Sequence, residues 1–342
     1  MPTRWSGWIL IDASADRANN KEAAVRDMAE TWAVVLAGGE GSRLRKLTTT
    51  RDGSVIPKQY CSLGRSSCLL QDALTRARTF VLPSHVCTVV AAQHRRWWSS
   101  AVVSLDESDV YIQPQNRGTA CGILLALLRL EMRNPGATVV LLPADHHFRD
   151  EEAVTRVLRV ARNLARTNPR ATFLMGAEPE SPDTELGYIL PAERLLDKPA
   201  AIIGFTEKPS IHYARELLSL GALWNLFILV GSVGALLELF EEDYPDAVSQ
   251  MNEALGSEAA GNRESVGKLY EAMAPIDFSR DILEVQATRL QVVRVSHCGW
   301  TDLGTPQRVE ATVRSMVRSA GVARERQRLS TPLFFDLSTQ YS

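Results

Sequence analysis

An alternation of two patterns restricts the fold most. Apolar runs at 32–37, 86–92, 109–113, 138–144 and 171–178 alternate with segments of helical period at 67–80, 119–133 and 151–166. Runs such as WAVVLA and TVVLLPA are apolar at nearly every position. Strands of that kind need cover on both faces, and helices between them supply it. The pattern predicts an α/β, doubly wound, Rossmann-like fold on a mostly parallel central sheet. After residue 180 the alternation loosens. Segments 186–191, 200–209, 223–231 and 289–296 read as strands, the first three in a smaller mixed sheet, and 233–243 and 262–273 read as helices. Segment 305–318 begins a helix with Pro306 in its first turn. The expected organisation is a tail over 1–27, a domain over 28–318 with halves 28–180 and 181–318, and a second tail over 319–342. Met28 would also serve as an internal start.

The first strand empties into GGEGSRL, with Gly38, Gly39 and Gly41 ahead of Arg43. Glycines let backbone N–H groups approach an anion closely. The dinucleotide fingerprint G-x-G-x-x-G fails, because Leu44 stands where its last glycine belongs. No Walker A spacing is present either. The glycines alone fit a tight turn equally well. Arg43, and Lys58 in IPKQY, favour a phosphate instead, since a lysine serves phosphate as a point charge.

Charge and cysteine usage exclude other classes. The 38 basic and 40 acidic residues balance to −2 with no block of one sign, so no nucleic-acid or anionic-membrane footprint is evident. Five scattered cysteines with no C-x-x-C pair argue against a disulfide framework or a zinc knuckle and fit a reducing cytoplasm. No apolar run reaches the roughly 18 residues of a membrane helix, and the N-terminus lacks the layout of a secretion signal.

Six motifs follow one another in order: LAGGEGSRL with PKQY, QPQNRGTA (113–120), LLPADHHF (141–148), GFTEKP (204–209), LWNLFI (223–228) and GWTDLGTPQRV (299–309). Together they resemble the sugar-1-phosphate nucleotidyltransferases, with the mannose-1-phosphate guanylyltransferase (GDP-mannose pyrophosphorylase) branch nearest. The resemblance implies transfer of a nucleotidyl group from GTP to mannose 1-phosphate, releasing pyrophosphate. A dTTP- or UTP-dependent glucose-1-phosphate enzyme and a catalytically silent nucleotide-sugar-binding regulator stay open. The substrates are small molecules, with no nucleic acid or membrane, and a homodimer is compatible with the family. Residues 311–342 are too few for the C-terminal β-rich domain of longer members, so an added isomerase activity is not expected.

The resemblance assigns roles residue by residue. Asp145 and Asp302 would share Mg²⁺, although a lone aspartate at a strand end ordinarily caps a helix or forms a turn. Arg43 and Lys58 would hold the β,γ-phosphates. Lys208 would meet the sugar phosphate; otherwise it is a surface lysine paired with Glu207, worth about 0–1 kcal/mol. Leu36, Gly38, Gly39, Gly41, Ser42, Gln113, Asn116, Gly118 and Thr119 would surround the nucleotide, with Gln113 and Gly118 at the base. Arg117 would touch nucleotide or cap the next helix. Gly187, Glu207 and Asn225 would line the sugar pocket. Neighbouring strand residues point to opposite faces, so His146 and His147 are expected one in packing and one in solvent, not on one metal. Three departures stand out: the long loop after Arg43, and Leu190 and Leu226 where polar sugar-contacting residues are usual.

Overall fold

The computed structural model describes residues 30–193 and 198–321. The expected tail over 1–27 lies outside these residues, as does the expected C-terminal tail from 322 onward.

Strand β1 (Thr31–Ala37) pairs in parallel with β2 (Val86–Ala91), which pairs in parallel with β3 (Val110–Gln113). On its other side β1 pairs in parallel with β4 (Thr138–Pro143). The pleat sorts the apolar run between two cores. Trp32 and Val34 pack on one face, and Ala33, Val35 and Ala37 on the other. Helices α1 (Leu69–Ala77) and α3 (Glu151–Thr167) cover the second face, and α2 (Gly118–Arg133) covers the first. Helix α3 starts where Asp150 accepts the Ala153 N–H, with Glu151 and Glu152 in its first turn. The Arg76 guanidinium, through Nε and Nη2, grips the Glu151 carboxylate at 2.6 and 2.8 Å and ties α1 to α3.

The second half weaves into the same sheet. Strands β5 (Thr172–Ala177), β6 (Gly187–Pro191), β7 (Ala200–Glu207), β8 (Leu223–Ser232) and β9 (Leu290–Val295) complete, among the described residues, nine strands in the order β3-β2-β1-β4-β8-β5-β9-β7-β6. Strand β8 runs antiparallel to both neighbours, β4 and β5, and β9 runs parallel to β5. The mixed strands expected as a smaller sheet therefore continue the large one. Their outer end, where β6 pairs with β7 and β8, folds over the carboxyl ends of the parallel strands.

Among the described residues two helices longer than two turns lie beyond the expected set: α4 (Ile211–Ser219) and α6 (Pro245–Ala259). Both carry start signals, Ser210 accepting from the Tyr213 N–H and Pro245 in the first turn. Helices α5 (Val233–Asp243) and α6 pack in the same core as α2. Ala120 to Leu128 of α2 are consequently all buried, between sheet and helices. Burying each leucine or isoleucine there contributes about 1.5–3 kcal/mol, so the N-terminus of α2 is a firm platform. Helix α7 (Ser265–Ala272) is shorter than expected, and α8 (Pro306–Gly321) begins at the expected proline.

Candidate active site

Strands β1, β3 and β4 end at one edge, and the loops leaving them line a single cleft of about 420 Å³. This is the crevice at the carboxyl ends of a parallel sheet, where such folds place ligands. Leu36, Gly38, Gly39, Gly41, Arg43, Gln113, Asn116, Gly118, Thr119, Asp145, Gly187, Glu207, Lys208, Asn225 and Asp302 all line it. Ser42 is exposed and stands outside the lining, while Lys58 lies beneath it at 6% exposure.

The glycine loop is held from behind. Gln59 Nε2 donates to the carbonyls of Ala37 and Gly39 at 2.8 and 2.7 Å, and the Tyr60 hydroxyl donates to Ala37 at 2.9 Å. The N–H groups of Gly39, Glu40 and Gly41 have no acceptor among the described residues. Gly41 has φ 61°, and a Cβ there would stand 2.8 Å from the Lys58 backbone nitrogen, so only glycine fits. Across the cleft, the Gln113 amide occupies space left by Gly38 and Gly122, where a Cβ would approach it to 2.3 and 2.7 Å. Its Oε1 is buried with no hydrogen-bond donor among the described residues.

Two distant motifs are pinned together by an isolated antiparallel bridge between His147 and Thr301, with reciprocal N–H···O bonds of 2.9 Å. That bridge brings Asp145 and Asp302 to one place. Lys58 Nζ lies 2.7 Å from Asp145 Oδ2 and donates to the Asp302 carbonyl at 2.5 Å. Burial alone would raise the Asp145 pKa, but the Lys58 cation outweighs it and keeps the carboxyl below its ordinary value. Burial is likewise outweighed at Asp302, where Arg308 and Lys58 are the nearby cations. Burial pushes the His146 pKa down to about 4, leaving that ring neutral at neutral pH. The His146 Nδ1 accepts from the Trp300 indole at 3.2 Å.

At the other end, Lys208 Nζ pairs with Glu207 Oε1 at 3.0 Å. Burial raises the Glu207 pKa, and Lys208 offsets this only in part. A Cβ at Gly187 would come within 2.7 Å of Glu207 Oε2, so that glycine makes room for the carboxylate. Strand β8 bulges here: Asn225 Oδ1 accepts the Phe227 N–H at 3.0 Å, and Phe227 takes φ 54°. Lys208 and Leu303 share that left-handed conformation, at φ 51° and 50°. Lys208 and Phe227 line the cleft, and Leu303 follows Asp302. Among the described residues no other non-glycine has positive φ. Such strain costs about 1–3 kcal/mol per residue and concentrates at working sites.

Several expectations need correction. Ser42 does not reach the cleft. Neither histidine is in solvent: His147 is 8% exposed within its bridge, and His146 faces Trp300. Leu226 is fully buried in the sheet core and Leu190 packs beside Tyr188, so neither removes a polar group from the cleft. Arg117 caps α7 by donating to the carbonyls of Tyr270 and Glu271, at 2.6 and 2.9 Å. Gly118, expected at the base, has φ 82° and a Cβ there would fall 2.2 Å from the Ile276 carbonyl oxygen. Its need for glycine thus arises from chain packing. Sequence reading missed Gln59, Glu185, Trp300 and Arg308. Gln59, Trp300 and Arg308 stood inside quoted motifs; Glu185, which meets Arg43 Nη1 at 2.9 Å, carried no local signal.

Comparison with known proteins agrees with this geometry. The family model described as Nucleotidyl transferase matches residues 32–315. A mannose-1-phosphate guanylyltransferase of Salmonella montevideo is 28% identical over 282 residues, 80% of this chain and 58% of its own length. One from Sinorhizobium fredii is 27% identical, covering 79% of this chain and 52% of its own. The chain thus spans between half and three-fifths of the length of these relatives. The crystal structure of mannose-1-phosphate geranyltransferase from Thermus thermophilus superposes with a TM-score of 0.68 at 28% identity, over 80% of this chain and 76% of that one. With its cleft at the carboxyl ends of the parallel strands and a family match over most of its length, the chain belongs to the nucleotidyl transferase family.

Proposed function

We propose that the chain transfers a guanylyl group from GTP to mannose 1-phosphate, giving GDP-mannose and pyrophosphate. The carrying observation is the meeting of Asp145 and Asp302 around Lys58 beside a loop of unpaired N–H groups. The relatives' names supply the base and the sugar.

In this reading the triphosphate lies on the N–H groups of Gly39 to Gly41, with Arg43 at the rim. Arg43 must exchange Glu185 for phosphate oxygens, and that pair is 43–48% exposed, worth about 0–1 kcal/mol. The base lies against Gln113, whose free Oε1 accepts from a base N–H. Lys208 meets the sugar phosphate, and the Nδ2 of Asn225, left over from the bulge bond, faces the sugar with Glu207. The sugar phosphate oxygen attacks the α-phosphorus as the bond to the β-phosphate breaks, and the electron pair leaves with pyrophosphate. The nucleophile is already an anion, so the residues need only hold mutually repelling anions in line and neutralise charge.

A divalent cation fits the donor set. Among the described residues no group of three or more His, Cys, Asp or Glu is arranged to cage a metal. Two carboxylates that leave other positions to water and phosphate oxygens suit Mg²⁺. Asp145 and Asp302 would hold it, and it would supply Lewis-acid neutralisation of the phosphates.

Pyrophosphate release from GTP, dTTP, UTP and ATP, each with mannose 1-phosphate and glucose 1-phosphate, tests the reading. GTP with mannose 1-phosphate should be turned over fastest. Preference for another pair would overturn the assigned substrates, and no release from any pair would overturn the transferase.

A further inference from the structure

Arg308 lies in the first turn of α8, outside the residues given roles above. Its guanidinium reaches two carboxylates from different parts of the chain. Nη1 donates to Asp302 Oδ1 at 2.5 Å, and Nη2 donates to Asp183 Oδ2. Asp302 Oδ1 also accepts the Gly304 N–H at 2.9 Å. That oxygen is therefore filled by two donors, whereas Oδ2 has no donor among the described residues. A carboxylate otherwise turns freely about its last bond. A donor on a helix and a backbone N–H on the same oxygen stop that rotation.

The far side of the guanidinium is also fixed. Asp183 donates its N–H to the Tyr188 hydroxyl at 2.8 Å, and its Oδ1 accepts the Glu185 N–H at 2.8 Å. Tyr188 itself is fully buried. The Arg308 side chain is 20% exposed and that of Asp302 9%, so water competes weakly for these bonds. A lysine, with one point charge, could not span both carboxylates.

We propose that Arg308 is a positioning residue: it holds Oδ1 of Asp302 so that Oδ2 is the oxygen presented to the divalent cation, and Asp183 anchors the guanidinium from behind. The inference rests on reading Asp145 and Asp302 as that cation's ligands. Partners of this kind typically carry about 10–100-fold in metal affinity.

The test is direct binding of Mn²⁺, without nucleotide, by electron paramagnetic resonance titration of the full chain and of Arg308→Met, Arg308→Lys and Asp183→Asn. Arg308→Met should weaken Mn²⁺ binding by about 10–100-fold. Arg308→Lys should recover part of the loss, and Asp183→Asn should show a smaller loss of a few-fold. The Mg²⁺ concentration for half-maximal pyrophosphate release should rise in the same order. A merely structural arginine would lower the melting temperature without this graded effect. Mn²⁺ affinity equal to wild type in folded Arg308→Met overturns the proposal. If that variant does not fold, equal affinity in both Arg308→Lys and Asp183→Asn overturns it. Absence of Mn²⁺ binding by the wild type overturns it together with the ligand assignment. A graded loss of Mn²⁺ affinity in a chain that turns over no substrate pair would uphold Arg308's role and sink the proposed reaction.

Discussion

Replacing Gly118 by alanine separates a glycine the fold requires from one the ligand would require. Gly118 has φ 82°, and left-handed backbone costs an alanine about 1–2 kcal/mol. The added Cβ would stand 2.2 Å from the carbonyl oxygen and 2.8 Å from the carbonyl carbon of Ile276, both backbone atoms that cannot rotate away. The same residue is stitched to the start of α2 by Ala120 N–H to Ile276 O (3.2 Å) and Ile276 N–H to Arg117 O (3.1 Å). Relief means breaking one of these, at about 0.5–1.5 kcal/mol, or accepting overpacking of about 1–3 kcal/mol. The sum is about 2–5 kcal/mol, a fall in melting temperature of roughly 3–8 °C for a chain of this size. Gly39→Ala is the control. No heavy atom lies within 4 Å of its Cβ and its φ is not left-handed, so stability should hold or rise by about 0.4–1 kcal/mol. Yet if that open space belongs to the triphosphate, GTP affinity should fall about tenfold or more, the loss of one charge-assisted hydrogen bond. Circular dichroism melts and titration calorimetry with GTP read the two effects. A Gly118→Ala melt within about 1 °C of wild type (under roughly 1 kcal/mol) would refute the close approach. Wild-type GTP binding by Gly39→Ala would refute the phosphate cradle.

Asp145→Asn should cut divalent-dependent pyrophosphate release by about 10³-fold or more while the chain still folds, because several kcal/mol of charge neutralisation are lost. Undiminished release would remove Asp145 from the metal site. Lys208→Ala should raise the KM for sugar 1-phosphate and leave GTP binding nearly intact, since Lys208 pairs with Glu207 at the end of the cleft away from the glycine loop. Collapse of GTP binding would place Lys208 at the nucleotide instead. Glu207→Gln tests the buried carboxyl. Burial raises its pKa, so protonation favours the fold; that contribution is complete below about 4.3, the ordinary glutamate value, and is lost as pH rises through the raised one. Urea midpoints should therefore show the variant gaining on wild type as pH rises from about 4 to neutrality, and a variant that loses ground over that range would contradict the sign.

How much of the site was legible depended on where each residue's reason lies. Gly41, Asp145, Lys208 and Asp302 sit in contiguous motifs, and the resemblance those motifs carry pointed to them; all four line the cleft. Glu185 could not, since it faces Arg43 only because β6 pairs with β8 and carries the preceding loop across the cleft. Leu190 and Leu226 were placed at the sugar by the resemblance, which does not say which way a residue turns; in β8 Leu226 goes into the core and Asn225 to the cleft. Gly118 lines the cleft and Arg117 was left between nucleotide and a helix cap; what the chain alone did not show is that both contact segments some 150 residues away, Ile276 and the end of α7.

By itself the sequence determined the strands, most helices and the carriers of charge, because periodicity, caps and glycine loops are written within a few residues. The order of the nine strands, the insertion of β8 between β4 and β5, and the bridge of His147 to Thr301 were decided only in three dimensions. Hydrogen bonds between distant strands form by complementarity of whole faces, and no short window of sequence contains that information. The meeting of Asp145, Lys58 and Asp302 is a product of that pairing, and so is the fork of Arg308 that orients one of them.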